Sequence, residues 1–434
     1  MMWPEAFVQR MNRELGSEAE AFFSALEQPP VRGIRMNPMK PIRRECLPDI
    51  GPRVPWTEQG FELDIASRLG NTVPHEAGAF YLQDPSSMLP ASVLSAQPGE
   101  RVLDLCAAPG GKSTQLAAQM QGQGLLVCNE VIPKRAQVLS RNLERMGVTN
   151  ALCISMRTDA LAQRFPEAFD AVLVDAPCSG EGMFRKHPET VASWSPEMAD
   201  GCAVRQKEIL ESAACLLSPG GRMVYSTCTY HRRENEEQVK DFLKRHPEFS
   251  LAPFPGGPEG MLTCYPHRMR GEGQFCALLV KADTGHRAEM PLMKDRVGKE
   301  SLDCLQAFSA LPHSGIHALG DTLFYLPECP ELAGMKVWRA GIHLGTVRAG
   351  RLLPDHAWAV SWMPPSLLRL AAEEDSALAF LRGETFDEAT DKAGYVLVTW
   401  QGLVLGLGKV SGGTVKNHYP KGLRRANLDR LTST

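Results

Sequence analysis

The stretch Arg101-Val-Leu-Asp-Leu-Cys-Ala-Ala-Pro-Gly-Gly-Lys-Ser-Thr114 decides the fold. Its first half is an apolar run that predicts a buried strand, and the proline and two glycines break that strand. Residues 112–121 have the Ala, Leu and Gln content of a helix. A loop of this kind, at the carboxyl end of a parallel strand, lies beside the crevice where an open α/β sheet binds its ligand.

Spacing excludes two common phosphate-binding loops. A P-loop needs a glycine where this chain has Cys106, and the G-x-G-x-x-G fingerprint is absent because Gly110 and Gly111 are adjacent. The loop therefore favours a less charged nucleoside ligand, with a glycine-rich turn that binds nothing as the alternative.

Length and composition indicate a multidomain globular protein. The chain has 434 residues, 43% hydrophobic and 22% charged, which is too long for one ordinary domain. A net charge of −3 means that nucleic-acid contacts must come from local basic patches. We find no signal peptide, no span long enough for a membrane and no C-x-x-C pair. Together with twelve scattered cysteines, this predicts a cytoplasmic protein with reduced thiols, no membrane contact and no bound metal.

Strands and helices alternate between residues 100 and 230, which is typical of a parallel sheet with crossover helices. We expect a helix over 133–146 and a closing strand near 275–280. The expected parallel strands are 102–106, 124–128, 151–155, 171–175 and 222–226.

Carboxylates follow three of these strands. Glu130 follows the second, Asp159 the third, and Asp175 ends the fourth. One acid at a strand end is commonly a helix cap, but three that face a single crevice favour a shared ligand. Glu130 has the position of a carboxylate that accepts the hydroxyls of a ribose.

The flanking segments carry basic residues that leave two interpretations open. Residues 1–30 are expected to be helical, and 31–38 form a strand that carries Arg32 and Arg35. Ser86 or Ser87 is expected to cap the helix that follows it, and a further helix is expected over 367–382. Short strands from 395 onward then lead to a basic run over 416–425. Each basic segment is either an RNA contact or an ordinary solvated surface.

Two cysteines stand out because they lie in loop sequences at strand ends. Cys178 lies in Pro-Cys-Ser-Gly after the fourth strand, and Cys228 lies in Ser-Thr-Cys-Thr after the fifth. Adjacent parallel strands would bring both loops to one edge of the sheet, and a loop suits a reactive thiolate. The remaining cysteines apart from Cys106 are expected to be small buried hydrophobes.

The set of motifs resembles that of the Sun-type RNA cytosine-5 methyltransferases, most closely the bacterial ribosomal RNA subgroup RsmF. The resemblance covers most of the chain. It rests on Arg35-Met-Asn37, Val54-Pro-Trp56, Gln83-Asp-Pro-Ser-Ser-Met-Leu89, the loop 106–112, Asp175-Ala-Pro-Cys178, Gly180-Glu-Gly-Met-Phe-Arg-Lys186, Ser226-Thr-Cys228-Thr and Tyr419-Pro-Lys-Gly-Leu-Arg-Arg425.

The resemblance implies an α/β fold in four parts. A Rossmann-like class I methyltransferase core that depends on S-adenosylmethionine would occupy 71–284, after a small N-terminal α/β domain over 1–70 that contacts RNA. An accessory domain over 285–372 and a β-rich, PUA-like RNA-binding domain over 373–434 would follow. The expected partner is RNA, most simply ribosomal RNA of the small subunit, bound by a monomer.

The resemblance also implies roles for individual residues. Cys228 would be the nucleophile, Cys178 would assist loss of the C5 proton and enzyme release, and Asp175 would bind the cytosine. Arg185 and Lys186 are expected phosphate contacts. Glu130 would bind the cofactor ribose and Asp159 its adenine end. The other expected cofactor contacts are Cys106, Ala107, Ala108, Pro109, Gly110, Gly111, Lys112, Arg135 and Asp175.

Three alternatives remain at this point. The same chemistry on transfer RNA is one, and a DNA cytosine-5 methyltransferase, which uses the cysteine of its Pro-Cys segment, is another; Cys228 argues against the latter. The third is an RNA-binding ribosome assembly factor without catalysis. The sequence does not specify the modified cytosine, or whether naked RNA or a particle is the substrate.

Overall fold

The computed structural model describes residues 3–285, 288–294, 297–312, 314–387 and 393–431. Its helices are α1 Glu5–Leu15, α2 Ala19–Glu27, α3 Val73–Glu76, α4 Leu89–Leu94, α5 Gly111–Met120, α6 Pro133–Met146, α7 Thr158–Arg164, α8 Pro188–Ser193, α9 Pro196–Leu216, α10 Glu236–Arg245, α11 Lys299–Phe308, α12 His356–Val360 and α13 Glu374–Arg382.

The strands lie in four sheets. Their bounds are β1 Arg32–Met36, β2 Ile50–Arg53, β3 Gly60–Leu63, β4 Phe80–Leu82, β5 Arg101–Asp104, β6 Leu125–Asn129, β7 Ala151–Ile154, β8 Phe169–Asp175, β9 Leu217–Thr227, β10 Phe249–Leu251, β11 Met261–Cys264, β12 Gln274–Lys281, β13 Ile316–Leu319, β14 Thr322–Tyr325, β15 Val337–Ala340, β16 Ile342–Arg348, β17 Arg351–Pro354, β18 Arg369–Ala371, β19 Phe386–Asp387, β20 Gly394–Trp400, β21 Leu403–Ser411 and β22 Thr414–Asn417.

The central sheet has the order β10-β12-β9-β8-β5-β6-β7-β15, with β11 also paired to β12. The five strands from β9 to β7 are parallel, and β12 and β15 run antiparallel at the two sides. This confirms the expected Rossmann-like core. Because β5 and β8 are neighbours whose crossovers leave in opposite directions, the loops after them open the crevice of the sheet.

Local sequence explains why these elements form where they do. Strand β6 is buried along its whole length, as expected for a strand covered by helices on both faces. Helix α6 has Pro133 in its first turn and is capped at its C-terminus by Gly147. Gly147 has a φ of 81°, a left-handed conformation that glycine adopts without steric strain. Its bounds are those expected from sequence.

The N-terminal sheet has the order β2-β3-β1-β4. Its fourth strand, at 80–82, pairs with β1, so this sheet extends beyond the boundary at residue 70 that was expected from sequence. The expected serine cap is wrong. A 3-10 turn over Ser86–Met88 precedes α4, and Asp84 Oδ1 accepts hydrogen bonds from the backbone N–H groups of Ser86 and Ser87.

The C-terminal part contains two further sheets, β13-β14-β16-β17 and β18-β20-β21-β22-β19. The expected helix over 367–382 is only partly correct, because 369–371 form β18 beside β20 and the helix begins at Glu374. The last sheet therefore begins before the expected boundary at 372. Strand β15 pairs with β7, so the segment expected as a separate accessory domain also extends the central sheet.

The N-terminal and C-terminal sheets share one hydrophobic core, in which Ile34 and Phe80 pack with Val396 and Val398. A segment before the central sheet and a segment after it also meet at the last turn of α6. The Met146 carbonyl there accepts hydrogen bonds from Asn37 Nδ2 at 2.9 Å and Trp362 Nε1 at 2.7 Å. These contacts join the flanking units to the domain of the central sheet. Among the described residues, no helix is both long and apolar enough to cross a bilayer.

Candidate active site

The two cysteine loops lie side by side at the carboxyl ends of β8 and β9. The register of this parallel pair sets Asp175 opposite Ser226, so Cys178 and Cys228 leave the sheet at the same level. Their sulfur atoms are 3.3 Å apart. The sequence prediction that both thiols share one edge of the sheet is confirmed.

The contact between the two sulfurs and burial both affect the ionisation of Cys178. The hydrogen bond with Cys228, together with burial, holds the pKa of Cys178 well above its usual value.

Asp175 forms the polar wall of the site. Its Oδ2 accepts a hydrogen bond from Lys112 Nζ at 2.8 Å, and its Oδ1 lies 3.3 Å from both Ser226 Oγ and Gln274 Nε2. Burial would lower the pKa of Lys112, but the charge of Asp175 and its hydrogen bond outweigh burial and raise it. Lys112 is therefore a fixed cation beside the cysteines, whereas the sequence had assigned it only to the cofactor loop.

The glycine loop runs from the end of β5 to the start of α5. The Ala107 N–H donates to the Asn129 carbonyl at 2.8 Å, and Asn142 Nδ2 donates to the Pro109 carbonyl at 2.8 Å. Gly110 has a φ of 110°, a backbone conformation that glycine adopts readily and other residues rarely do. Burial raises the pKa of Cys106, whose side chain packs against the core.

Glu130 and Arg135 connect the second strand end to this loop. Glu130 is 3% exposed, and it accepts a hydrogen bond from the Ile132 N–H at 2.9 Å. Arg135 approaches Glu130 Oε2 at 3.3 Å and donates to the Ala108 carbonyl at 2.9 Å. These two residues therefore lie together at the crevice.

Asp159 lies in the first turn of α7, is exposed, and pairs with Arg157 at 3.1 and 3.0 Å. Within the described chain, no hydrogen bond joins it to Glu130, Asp175 or the glycine loop.

Asp104, at the end of β5, is a site residue that the sequence reasoning missed. Its Oδ2 accepts a hydrogen bond from Ser113 at 2.7 Å, whereas its buried Oδ1 has no partner in the described part of the protein. Burial raises the pKa of Asp104 to about 7. An acid inside the apolar run before the glycine loop was the available signal.

Arg35, left open as an RNA contact or a solvated residue, and Arg185, an expected phosphate contact, are both used inside the fold. Arg35 is 2% exposed, and it donates to Gln83 Oε1 and Thr114 Oγ1, each at 2.6 Å, inside the protein. Arg185 is used in the same way, since its three nitrogens bind Glu272 and two backbone carbonyls. Both arginines join elements of the fold, so neither guanidinium is available to RNA.

The remaining residues singled out from the sequence differ in how exposed they are. Lys186 is only partly exposed, and in the basic run Tyr419 is buried against Phe380 whereas Arg424 and Arg425 are exposed. Of the cysteines expected to be buried, those at 128, 153, 202, 264, 276 and 329 are buried, whereas Cys46 and Cys304 are half-buried. Cys215 is exposed, which corrects the expectation for that residue.

Four family descriptions match successive parts of the chain. Residues 91–280 match the 16S rRNA methyltransferase RsmB/F family. Residues 3–85 match the N-terminal domain of 16S rRNA methyltransferase RsmF, 303–361 the first C-terminal domain of RsmF, and 368–425 the PUA domain of methyltransferase RsmF.

Individual relatives agree with these matches. Ribosomal RNA small subunit methyltransferase F of Klebsiella pneumoniae is 33% identical over 464 residues, covering 98% of this chain and 97% of the relative. A crystal structure of a methyltransferase homolog from Pyrococcus horikoshii is 30% identical with a TM-score of 0.57, covering 64% of this chain and 95% of the other.

A second structure from Pyrococcus horikoshii, NSun6 with SFG, has the same fold. Its TM-score is 0.57 at 21% identity, over 64% of this chain and 98% of the other. The fold, the paired cysteine loops and the near full-length similarity agree. The chain therefore belongs to the RsmB/F family of 16S rRNA methyltransferases, enzymes that depend on S-adenosylmethionine.

Proposed function

We propose that this protein transfers a methyl group to carbon 5 of a cytosine in small-subunit ribosomal RNA, through a covalent bond between Cys228 and the base. The observation that carries the proposal is the pair of sulfur atoms 3.3 Å apart beside the Lys112–Asp175 ion pair. The names of the relatives support the substrate class.

The chemistry explains why both sulfurs are needed. Carbon 5 of cytosine is a weak nucleophile, and addition of the Cys228 thiolate to carbon 6 raises its electron density. S-adenosylmethionine supplies the methyl group. Asp175 then holds the base, and the ammonium of Lys112 stabilises the negative charge that addition creates on the pyrimidine. Cys178 assists removal of the C5 proton, after which the Cys228–C6 bond breaks.

The crevice residues fit the cofactor. S-adenosylmethionine carries two cationic groups, and the unpartnered Oδ1 of Asp104 offers a buried acceptor for one of them. Glu130 would bind the ribose, Arg135 and the loop 106–112 would surround the methionine part, and Asp159 would have to turn inward to reach the adenine.

The affinity for S-adenosylmethionine is expected to rise several-fold between about pH 6 and pH 7.5. The pKa of Asp104 is raised to about 7, so its carboxylate becomes charged, and attracts a cation, as the pH passes that value. In Asp104→Asn the affinity should be roughly tenfold lower at the upper pH and nearly independent of pH. Isothermal titration calorimetry at both pH values tests this, and an unchanged pH slope in the variant would contradict it.

The RNA strand would be held by a basic cleft where the N-terminal sheet, α6 and the C-terminal sheet meet. The cleft has a volume of about 440 Å³ and is lined by Tyr81, Arg141, Arg145, Arg424 and other residues. In the described residues, neither Arg141 nor Arg424 has an ion-pair partner. Guanidinium groups without an ion pair, in a cleft that is also lined by Tyr81, suit phosphates and unstacked bases.

The double substitution Arg141→Ala/Arg424→Ala is expected to weaken RNA binding roughly tenfold and to reduce the salt slope of binding by about 1 to 2. The reason is the loss of two phosphate contacts. Filter binding at several salt concentrations measures both effects. The matched control is Arg348→Ala/Arg351→Ala, which removes the same charge from an exposed hairpin. Equal effects in the two double variants would argue against the cleft.

The target cytosine must leave its stack to reach the two cysteines, so the site must be single-stranded or locally melted RNA. We therefore infer that a monomer acts on ribosomal RNA in the cytoplasm, either free or in a small subunit. Bisulfite sequencing of ribosomal RNA, with and without this protein in the cell, tests the function. Loss of one or more protected cytosines is expected, and an unchanged pattern would contradict the proposal.

A further inference from the structure

Two buried glutamates connect the two cysteine loops. Each glutamate lies in one loop and accepts a hydrogen bond from the backbone of the other. Glu234, after Cys228, accepts the N–H of Ser179 at 2.9 Å. Glu181, after Cys178, accepts the N–H of Tyr230 at 3.3 Å. Both side chains are fully buried.

Glu234 holds both neighbours of Cys178, Ser179 directly and Pro177 through Gln206. The Ser179 hydroxyl also donates to Glu234, and Gln206 Nε2 donates both to Glu234 at 2.9 Å and to the Pro177 carbonyl at 3.0 Å. Ser179 Oγ lies 2.9 Å from the hydroxyl of Thr229, the residue after Cys228. The residues that flank the first cysteine are therefore held to the residue that follows the second.

Glu181 completes the connection from the other side. Arg10 of α1 donates to its Oε1 at 2.6 Å, which balances its charge. The next residue, Gly182, donates its N–H to the Cys228 carbonyl at 2.9 Å. A Cβ at Gly182 would lie 2.9 Å from that carbonyl oxygen and 2.7 Å from the Cα of Gly273, so the approach requires glycine.

We propose that Glu234 and Glu181 are positioning residues that set the separation of the Cys178 and Cys228 sulfurs, a role that rests on the proposed function. In the described part of the chain, neither carboxylate hydrogen-bonds a cysteine side chain. Glu234 binds the N–H of Ser179, the residue after Cys178, and Glu181 binds the N–H of Tyr230, two residues after Cys228. A buried carboxylate that accepts several hydrogen bonds fixes geometry strongly, because losing it leaves the donors unsatisfied.

The test uses a measurement of sulfur separation that needs no RNA. Diamide oxidises two neighbouring thiols to a disulfide; its N=N bond takes up the two electrons and two protons and becomes a hydrazine. In the full-length protein, the rate of Cys178–Cys228 cross-linking is followed by mass spectrometry of the linked peptides. Glu234→Gln and Glu181→Gln should each slow it at least roughly tenfold, because an amide cannot accept the same hydrogen bonds on both atoms.

Activity gives the second readout. Both variants should lose roughly 10- to 100-fold in kcat, with KM for RNA and for S-adenosylmethionine within about twofold, because misplacing the reacting groups affects chemistry more than binding. Ser179→Ala removes one hydroxyl only and should have a smaller effect in the same direction, which keeps the test open if a glutamate variant fails to fold.

The matched control is Glu272→Gln. Glu272 is 2% exposed and ion-paired to Arg185 at 2.8 Å, but it lies outside both cysteine loops. Its variant should lose stability while keeping the normal cross-linking rate and kcat. The proposal is overturned if Glu234→Gln, Glu181→Gln and Ser179→Ala cross-link and turn over as Glu272→Gln does. Slower cross-linking in a protein whose wild type methylates no RNA would instead support the positioning role and reject the proposed function.

Discussion

Cys228→Ala should abolish methyl transfer, lowering the rate by roughly three orders of magnitude or more. Without the sulfur, no covalent bond to carbon 6 can form, and carbon 5 of the cytosine stays too electron-poor to attack a methyl group. The residual contacts of Lys112 and Asp175 with the base cannot replace that bond. Transfer of tritium from labelled S-adenosylmethionine to small-subunit ribosomal RNA measures the loss.

Binding should survive this substitution, because Cys228 is partly buried and contributes little contact area. Calorimetry with S-adenosylmethionine should therefore give the wild-type affinity. Cys215→Ala, at an exposed cysteine far along α9, is the matched control and should keep full activity. Full activity of Cys228→Ala with loss in Cys178→Ala would instead assign the nucleophile to Cys178, as in DNA cytosine-5 methyltransferases.

The parts of the fold that depend on local pattern were predictable. The apolar run before Cys106 and the Pro133 and Gly147 signals around α6 act over a few residues, so they can be read directly from the chain. The adjacency of the two cysteine loops was also predictable, since parallel strands place their carboxyl ends at one edge.

The partners of individual charges were not predictable, because they come from distant segments. The ion pair of Lys112 with Asp175 spans 63 residues, and that of Arg10 with Glu181 spans 171. Arg35 was left open as an RNA contact or a solvated residue because its partner, Thr114, lies 79 residues away in the sequence. Likewise, nothing near Asp104 in the sequence shows that one of its oxygens is buried without a partner.

Cys178→Ala should trap RNA on the protein as a covalent complex bonded through Cys228. The sulfur of Cys178 lies 3.3 Å from that of Cys228, and in the proposed reaction it assists the steps that follow methyl transfer. Without this sulfur, addition and methyl transfer can still proceed, but removal of the C5 proton, and with it release of Cys228, becomes slow. A denaturing gel should show a band at the summed mass of protein and labelled RNA, at least roughly tenfold stronger than for the wild type.

The control separates this outcome from mere tight binding. Cys178→Ala/Cys228→Ala should give no band under denaturing conditions, because it lacks the sulfur that forms the bond. The 3.3 Å contact also makes the effect specific to this position, since no other sulfur among the described residues is within hydrogen-bonding distance of Cys228. A complex that persists in the double variant, or normal turnover in Cys178→Ala, would show that release does not depend on Cys178.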